Sequence, residues 1–494
     1  MANGKLTRGK IIEIENKYGI KVSEQWLNQL LSMGEHERGV VKASGKLIQG
    51  IPLDDIVKNY QILDNELGIV LPLVIGGGPQ YDELPAYKGS FKVNGIRVTP
   101  SGLLEQMLPV AQENLDHVVA ALTSAGVKAV AMPNCIFKVE PHGVETYFDE
   151  EKKEFVEQDT GFVGDVVRID TAPVIAALHE GKVPVLSHIG IDVHAGLPSF
   201  KPLYHEPNPQ YYNINATTAA AALVKQLQAY KLILLGDKPI LDANGELIKE
   251  IKSEAQLHKL LKEGTIKDGM AINAQEAYDL LKIMGPGRSV QITTPEDLIK
   301  ELLSDGAGTM FRMPFIVQSY HKPEHVGKDG KELLTDKIDQ AFADRGMALV
   351  PGYWDSHEIN EKAPIDRMYI DAPVITGGAV VRKLWDHAYM CKLFKEKGYR
   401  GSGLAKQLMD DIISDQGCLF WRTGAEEGNV GNIEHYKAYV DNFKNSSLQK
   451  PGKVSTYEKV GESYWVFAVN VYQYYWNLLK LQVSCLPQTL VKHK

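Results

Sequence analysis

Tyr399-Arg400-Gly401-Ser402-Gly403-Leu404-Ala405-Lys406-Gln407-Leu408 follows an apolar run, Tyr389 to Phe394, and opens a stretch with Leu404, Leu408, Ile412 and Ile413 on one side. The order is strand, glycine loop, helix. Gly401 and Gly403 remove side chains where backbone must approach a ligand, and the first amides of a helix have no partners within it, so they face an incoming anion. A pyrophosphate suits such a loop, with Arg400 adding positive charge, although a purely structural turn uses the same residues. One helix later comes a second apolar strand, Cys418-Leu419-Phe420-Trp421-Arg422.

A chain of 494 residues exceeds a single core, so two or three domains are expected. Hydrophobic residues at 44% and charged residues at 23% describe an ordinary globular protein. The net charge of -8 gives no reason to expect a nucleic-acid partner. Cys135, Cys391, Cys418 and Cys485 are far apart, without C-x-x-C spacing, and read as reduced thiols of an intracellular protein. No membrane partner and no metal are expected. Glu13 and Glu15 among the first lysines are unlike a leader, so the expected place is the cytoplasm, or the mitochondrial matrix if a leader has been removed.

Residues 1–38 read as a helical arm, a packing or oligomer contact, and a homo-oligomer, dimer or tetramer, is expected. Gly39-Val40-Val41-Lys42-Ala43-Ser44-Gly45-Lys46 then gives a short buried strand and a small-residue turn. The same grammar recurs at Ile69 to Ile75 followed by Gly76-Gly77-Gly78-Pro79-Gln80, and two such turns suggest one phosphate site. Helices and strands alternate from there: helix from Leu103 to Ala125, strand from Val127 to Ala131, helix from Ala172 to Glu180, strand from Pro184 to Ser187. Helix from Ala216 to Leu227, strands from Leu232 to Leu235 and Val290 to Thr293, and a helix capped near Thr294 with Pro295 at its first position complete one α/β domain.

These motifs, with Asn94-Gly95-Ile96-Arg97-Val98-Thr99, Asn213-Ile214-Asn215-Ala216 and Gly306-Ala307-Gly308-Thr309, resemble the amino-acid kinase family, above all N-acetylglutamate kinases and the kinase-like half of N-acetylglutamate synthases. The resemblance implies an open, mainly parallel sheet with helices on both faces over residues 39–313. It places Lys42, Gly45, Gly77 and Gly78 at nucleotide phosphates, and Arg97 and Asn213 at N-acetylglutamate. Where the family has an aspartate this chain has Thr217, and where it has a phosphate lysine this chain has Asn273. Lost electrostatic contacts cost roughly 100-fold to 1000-fold each in phosphoryl transfer, so a kinase-inactive fold is expected. The family resemblance also implies an L-arginine effector at Glu301, Gly306 and Gly308; alone, Glu301 reads equally as a solvated helix carboxylate.

Residues 314–330 are polar and broken, a connection, and 331–494 form the second domain. Met368 to Val374 and Ala379 to Arg382 read as strands with Gly377-Gly378 between them. Counting from Arg400, Gly403 and Ala405 fill the fourth and sixth places of the acyl-coenzyme A loop that the GNAT acetyltransferases carry, and the domain resembles that α/β fold. Acetyl-CoA is then the implied cosubstrate, held by Arg400, Gly401, Ser402, Gly403, Leu404 and Ala405 and by the backbone of Leu393, Phe394 and Lys395. Tyr389, Lys392 and Leu419-Phe420-Trp421-Arg422 resemble N-acetylglutamate synthases of the vertebrate-like and bifunctional type, which implies Tyr389, Lys392 and Arg422 as the L-glutamate site. By residue type alone Lys392 and Arg422 read as well as solvated strand ends. The family's Asn-Pro-x-Asn is absent after Arg422; Asn429 is the counterpart that would orient the amine, with Tyr436 or His435 as acid or base. The expected reaction is direct acetyl transfer to glutamate, under control by arginine, with a bifunctional synthase-kinase, a non-catalytic arginine sensor, or a succinyl-CoA enzyme as alternatives.

Overall fold

The structure, a computed structural model, describes residues 8–22, 27, 30, 34–87, 91–93, 96–149, 153–195, 210–285, 288–303, 307–313, 315–327, 329–371, 375–396, 403–425, 430–487 and 489–492. The chain divides into two compact units, Met1–Pro314 and Phe315–Lys494.

In the first unit, strands β1 (Val40–Ala43), β2 (Leu73–Ile75), β3 (Ala129–Ala131), β4 (Val183–Leu186), β5 (Lys231–Leu235), β6 (Glu250–Ile251), β7 (Ser289–Thr293) and β8 (Thr309–Arg312) form one sheet in the order β6-β8-β7-β5-β1-β2-β4-β3. Every pairing is parallel except β7 with β8. Parallel strands are covered on both faces and so read as unbroken apolar runs, and Val40, Val41, Val185 and Val290 are fully buried. Helices α1 (Ser101–Ser124), α2 (Ala216–Leu227) and α3 (Asp268–Met284) bury apolar sides in the same core. The Asn215 side chain caps α2, accepting from the amides of Thr217 at 2.8 Å and Thr218 at 3.2 Å.

Two parts of this unit differ from the sequence reading. Tyr211–Asn213, Ile189–Asp192, Phe137–Pro141 and Gly164–Ile169 make a separate four-stranded sheet, with a hairpin of Val144–Asp149 and Glu154–Asp159 beside it in sequence. The helix expected from Thr294 begins only at Leu298, because Pro295 to Asp297 form a turn closed by the Thr294 hydroxyl on the Asp297 amide at 3.3 Å.

The second unit is a seven-stranded sheet. Its strands are β9 (Val317–Tyr320), β10 (Ile365–Asp371), β11 (Gly377–Leu384), β12 (His387–Lys395), β13 (Leu419–Gly424), β14 (Val454–Val460) and β15 (Tyr464–Val471), in the order β9-β10-β11-β12-β13-β15-β14. Helices α4 (Gly330–Phe342), α5 (Leu404–Gln416), α6 (Val430–Phe443) and α7 (Gln473–Cys485) cover it. β9 lies inside the stretch read as a connection. Gly377 and Gly378 lie within β11 and not in a turn, because the sheet is crowded there: a Cβ on Gly378 would stand 2.8 Å from the Tyr369 carbonyl oxygen. All neighbours are antiparallel except β12 and β13, which run parallel and share one pair, Tyr389 with Phe420. Past that pair the two strands diverge.

Candidate active site

Among the described residues, no strand pairs with β12 on the β13 side at Leu393 and Phe394. An unpaired strand edge offers amide donors and carbonyl acceptors to an extended ligand arm. Helix α5 starts beside this opening in sequence, with Gly403 at its N-cap in the left-handed conformation at φ 85°, a region that favours glycine. Leu404 is buried under the sheet, with Leu408, Met409, Ile412 and Ile413, so the helix start is fixed by its apolar stripe, and Ala405 follows in the first turn. Arg400, Gly401, Ser402 and Asn429 lie outside the described residues, as does Gly306 of the first unit. A strand edge together with a helix N-terminus opened by glycine fits the pantetheine and pyrophosphate parts of acetyl-CoA.

A bulge on β12 arranges the side chains next to that edge. Val381 pairs with Met390 and Val380 with Lys392, which leaves Cys391 opposite nothing. Successive residues 391 and 392 therefore reach the same neighbour: the Cys391 thiol lies 2.8 Å from the Tyr353 hydroxyl, and the Lys392 ammonium stands over the Tyr353 ring at 5.4 Å. Tyr389 is on this side too, packed on Phe420 at 5.2 Å and covered by Leu479 and Val483 of α7. The Arg422 guanidinium stands over Tyr464 at 4.8 Å and donates to the carbonyls of Val483, Leu486 and Pro487, the last two at 3.1 Å. Lys392 donates to the Cys391 carbonyl at 3.2 Å and to the Thr489 hydroxyl. Burial pushes its pKa down to about 8, the Cys391 thiol opposing and Arg382 and Arg422 adding to the effect.

Tyr389, Lys392 and Arg422 thus meet on one side of the sheet, and Tyr436 and His435 stand apart from them. Tyr436 packs on Trp421 at 5.5 Å and Phe467 at 5.4 Å, among the residues that α5 and α6 bury on the other side. Burial raises its pKa to about 12. His435 is on the same turn of α6, and desolvation first and then Lys395 lower its pKa.

The sequence reading passed over three contributors here. Arg382 pairs across the sheet with Tyr389, Cys391 depends on the bulge, and Leu486, Pro487 and Thr489 border the space. Between them lies a cavity of about 10 Å³, bordered by Arg382, Tyr389, Cys391, Leu486, Pro487 and Thr489. That is room for no more than about one water. Strand Leu490–Lys492 pairs with Met347–Leu349 and holds this segment down.

In the first unit the two glycine turns touch, since a Cβ on Gly45 would stand 2.7 Å from the Gly78 amide, and Gln80 donates to the Gly45 carbonyl at 2.7 Å. Gly77 is equally crowded, against the Tyr81 ring. Lys42 is the last but one residue of β1, its pKa lowered by burial, with Lys46 adding and Glu276 opposing. Ligands of open parallel sheets sit at these strand ends. Arg97 pairs with Asp82 at 2.7 Å, lies over Tyr87 at 4.6 Å, and keeps a buried Nη1 without a partner. Asn213 donates to the Thr99 hydroxyl at 3.1 Å. His188, which the sequence reading did not single out, is buried between these groups; desolvation, Lys42 and Arg97 take its pKa down to about 4 against the opposing Ile75 carbonyl. Glu301 is buried, accepting from the amides of Ala307 at 2.9 Å and Gly308 at 2.7 Å, with its pKa raised by burial and opposed by Lys231.

The sequence pattern of the amino acid kinase family matches residues 37–293, and that of the acetyltransferase (GNAT) family matches residues 323–439. The chain is 28% identical over 422 residues to a protein named acetylglutamate kinase from Xanthomonas campestris pv. campestris, covering 84% of this chain and 89% of the relative. A protein of the same name from Xylella fastidiosa strain 9a5c is 27% identical over 426 residues, with the same shares covered. Among solved structures, N-acetylglutamate synthase from Neisseria gonorrhoeae, complexed with coenzyme A and N-acetyl-glutamate, has the same fold at a TM-score of 0.50 and 19% identity, over 90% of this chain and 98% of that one. With more than half of its length matched, the chain belongs to the amino acid kinase family and carries a GNAT acetyltransferase domain after its kinase-fold domain.

Proposed function

We propose that the chain is an N-acetylglutamate synthase, which moves acetyl from acetyl-CoA to the α-amine of L-glutamate at the entry to arginine synthesis. The observation that carries this reading is the opening between β12 and β13, with buried Lys392 and the Arg422 guanidinium beside it. Lys392, Arg422 and the Tyr389 wall hold the two carboxylates of glutamate, Arg422 as a planar fork and Lys392 as a point charge. The amides of Leu393, Phe394 and Lys395 align the thioester and stabilise the oxyanion. Once the α-ammonium has lost a proton, to solvent or through His435, its nitrogen bonds to the carbonyl carbon; as the carbon–sulfur bond breaks, the nitrogen gives up its second proton by the same route. Tyr436 stays protonated at neutral pH, since burial holds its pKa near 12, and it gives its proton to the departing sulfur. Asn429 orients the amine. Holding both reactants in one complex supplies much of the rate.

The bacterial relatives named acetylglutamate kinase favour a second reading, a synthase that also phosphorylates N-acetylglutamate. Thr217, at the start of α2, and the exposed Asn273 of α3 stand where the family has charged groups, and we assign the kinase fold a regulatory role instead. L-arginine is its effector, at Glu301, Gly306 and Gly308. Thiol release over a panel of amino acids with acetyl-CoA and succinyl-CoA tests the proposal. Glutamate with acetyl-CoA is expected to be fastest; no release from that pair rejects the reading, and ATP-dependent phosphorylation of N-acetylglutamate would establish the bifunctional one.

A further inference from the structure

Arg382 is 1% exposed, and the Cys391 thiol and Tyr353 hydroxyl beside it favour its charge against the cost of burial. Its Nη1 donates to the Asn360 side-chain oxygen at 2.8 Å and the Ala363 carbonyl at 2.7 Å, and its guanidinium lies over the Tyr353 ring at 4.9 Å. Nε and Nη2 are buried without a hydrogen-bond partner. The anion-forming groups that act on it are the Cys391 thiol and the Tyr353 hydroxyl, neither a carboxylate. Among the described residues, the hydrogen-bond acceptors of Lys392, 4% exposed, and of Arg422 are backbone carbonyls and one hydroxyl. Among the described residues, none of these three cations forms an ion pair with a carboxylate.

Buried charges are held in proteins when they are paired, and a buried cation without a partner is costly. Arg382 borders the cavity, Lys392 is buried nearby on β12 and Arg422 is half-buried on β13, and together they are an unmet demand for negative charge. Register makes the arrangement systematic: Arg382, Tyr389 and Phe420 form one row across β11, β12 and β13, and Lys392 and Arg422 follow further along β12 and β13. The cavity is too small for an amino acid, and the neutral oxygens of Leu486, Pro487 and Thr489 receive hydrogen bonds of Arg422 and Lys392 that an acceptor's carboxylates would take over.

We propose that Arg382 is a specificity-determining residue that pairs with the side-chain carboxylate of the acceptor, completing with Lys392 and Arg422 a cradle for a dicarboxylic amino acid. This rests on the synthase reading and deepens it. A residue that only holds Asn360 and Ala363 in place would affect all acceptors alike, whereas a carboxylate partner separates glutamate from its neutral isostere.

The test is calorimetric binding of L-glutamate and L-glutamine to the full chain saturated with CoA, with CoA affinity as the measure of folding. Wild type is expected to prefer glutamate. In Arg382→Gln the glutamate affinity falls about 10-fold to 100-fold, the range of one lost charge-assisted hydrogen bond, and glutamine affinity is unchanged. Equal losses for both ligands, a preference that survives in Arg382→Gln, or a wild type that binds both alike or neither would each overturn the proposal. If Arg382→Gln loses CoA binding and so fails to fold, Arg382→Lys decides: glutamate affinity falls more than glutamine affinity, and equal falls overturn it. Preferential glutamate binding by a wild type that releases no thiol from acetyl-CoA would reject the synthase reading and leave the cradle standing.

Discussion

Lys392 is the residue whose charge is most sensitive to its setting. With its pKa near 8, the ammonium is present below that pH and lost above it, whereas in an unfolded chain it persists to about 10.4. Between those values the unfolded state binds more protons, so this group makes the ligand-free protein more stable as pH rises. Ligand binding has the opposite sign, because a carboxylate needs the ammonium. The affinity for N-acetylglutamate, which has no titrating amine, is expected to fall by up to about tenfold per pH unit above pH 8, the slope of one linked proton. Lys392→Met should flatten the curve, and a flat wild-type curve to pH 9.5 would remove Lys392 from the acceptor site. Arg422→Ala is expected to raise the glutamate KM by about 10-fold to 100-fold, from the loss of charge-assisted hydrogen bonds, with CoA affinity nearly intact. Comparable losses in both would show that releasing Val483, Leu486 and Pro487 disturbs the whole unit.

Among the elements, α5 is read most directly from sequence, because period and glycine act locally: Leu404, Leu408, Ile412 and Ile413 are the buried stripe, and Gly403 takes the left-handed N-cap. Gly403→Ala would strain that position by about 1–2 kcal/mol and shift the first amides of the helix. Its expected effect is a several-fold weaker CoA affinity by titration with glutamate affinity in the CoA-free protein unchanged; an undisturbed CoA affinity would mean that the helix start does not hold the pyrophosphate. What the residues did not disclose depends on partners distant in sequence. No local pattern announces the Cys391 bulge, which exists only against Val380 and Val381, and so none announced that Cys391 and Lys392 share a side. Gly377 and Gly378 carry a turn signature, yet the carbonyls of Phe394 and Tyr369 beside them are what require the absence of side chains. The four-stranded sheet of the first unit was missed because its strands pair across long intervals, Phe137 with Ile169 and Gly190 with Tyr212, and few of them alternate cleanly.

At the scale of the whole chain, alternating helices and strands marked the kinase fold, whereas the second unit was located by short strings around one loop. Each unit buries its own core: Val40, Leu73 and Ile233 belong to one cluster, and Met390, Leu408 and Trp421 to another. The cations, the opening between β12 and β13 and Tyr436 all lie within Phe315–Lys494. Chemistry built into one self-contained core does not require the other for its first steps. Residues 315–494 expressed alone are therefore expected to fold cooperatively and to release thiol from acetyl-CoA and glutamate, with a glutamate KM within about threefold of the full chain, since sites without shared partners act nearly independently. Arginine should alter the full chain and leave the fragment unaffected, because Glu301, with the Ala307 and Gly308 amides and Lys231, belongs to the first unit. A folded fragment that responds to arginine would place the effector in the transferase unit, and a folded fragment without thiol release would show that the kinase-fold unit completes the active site.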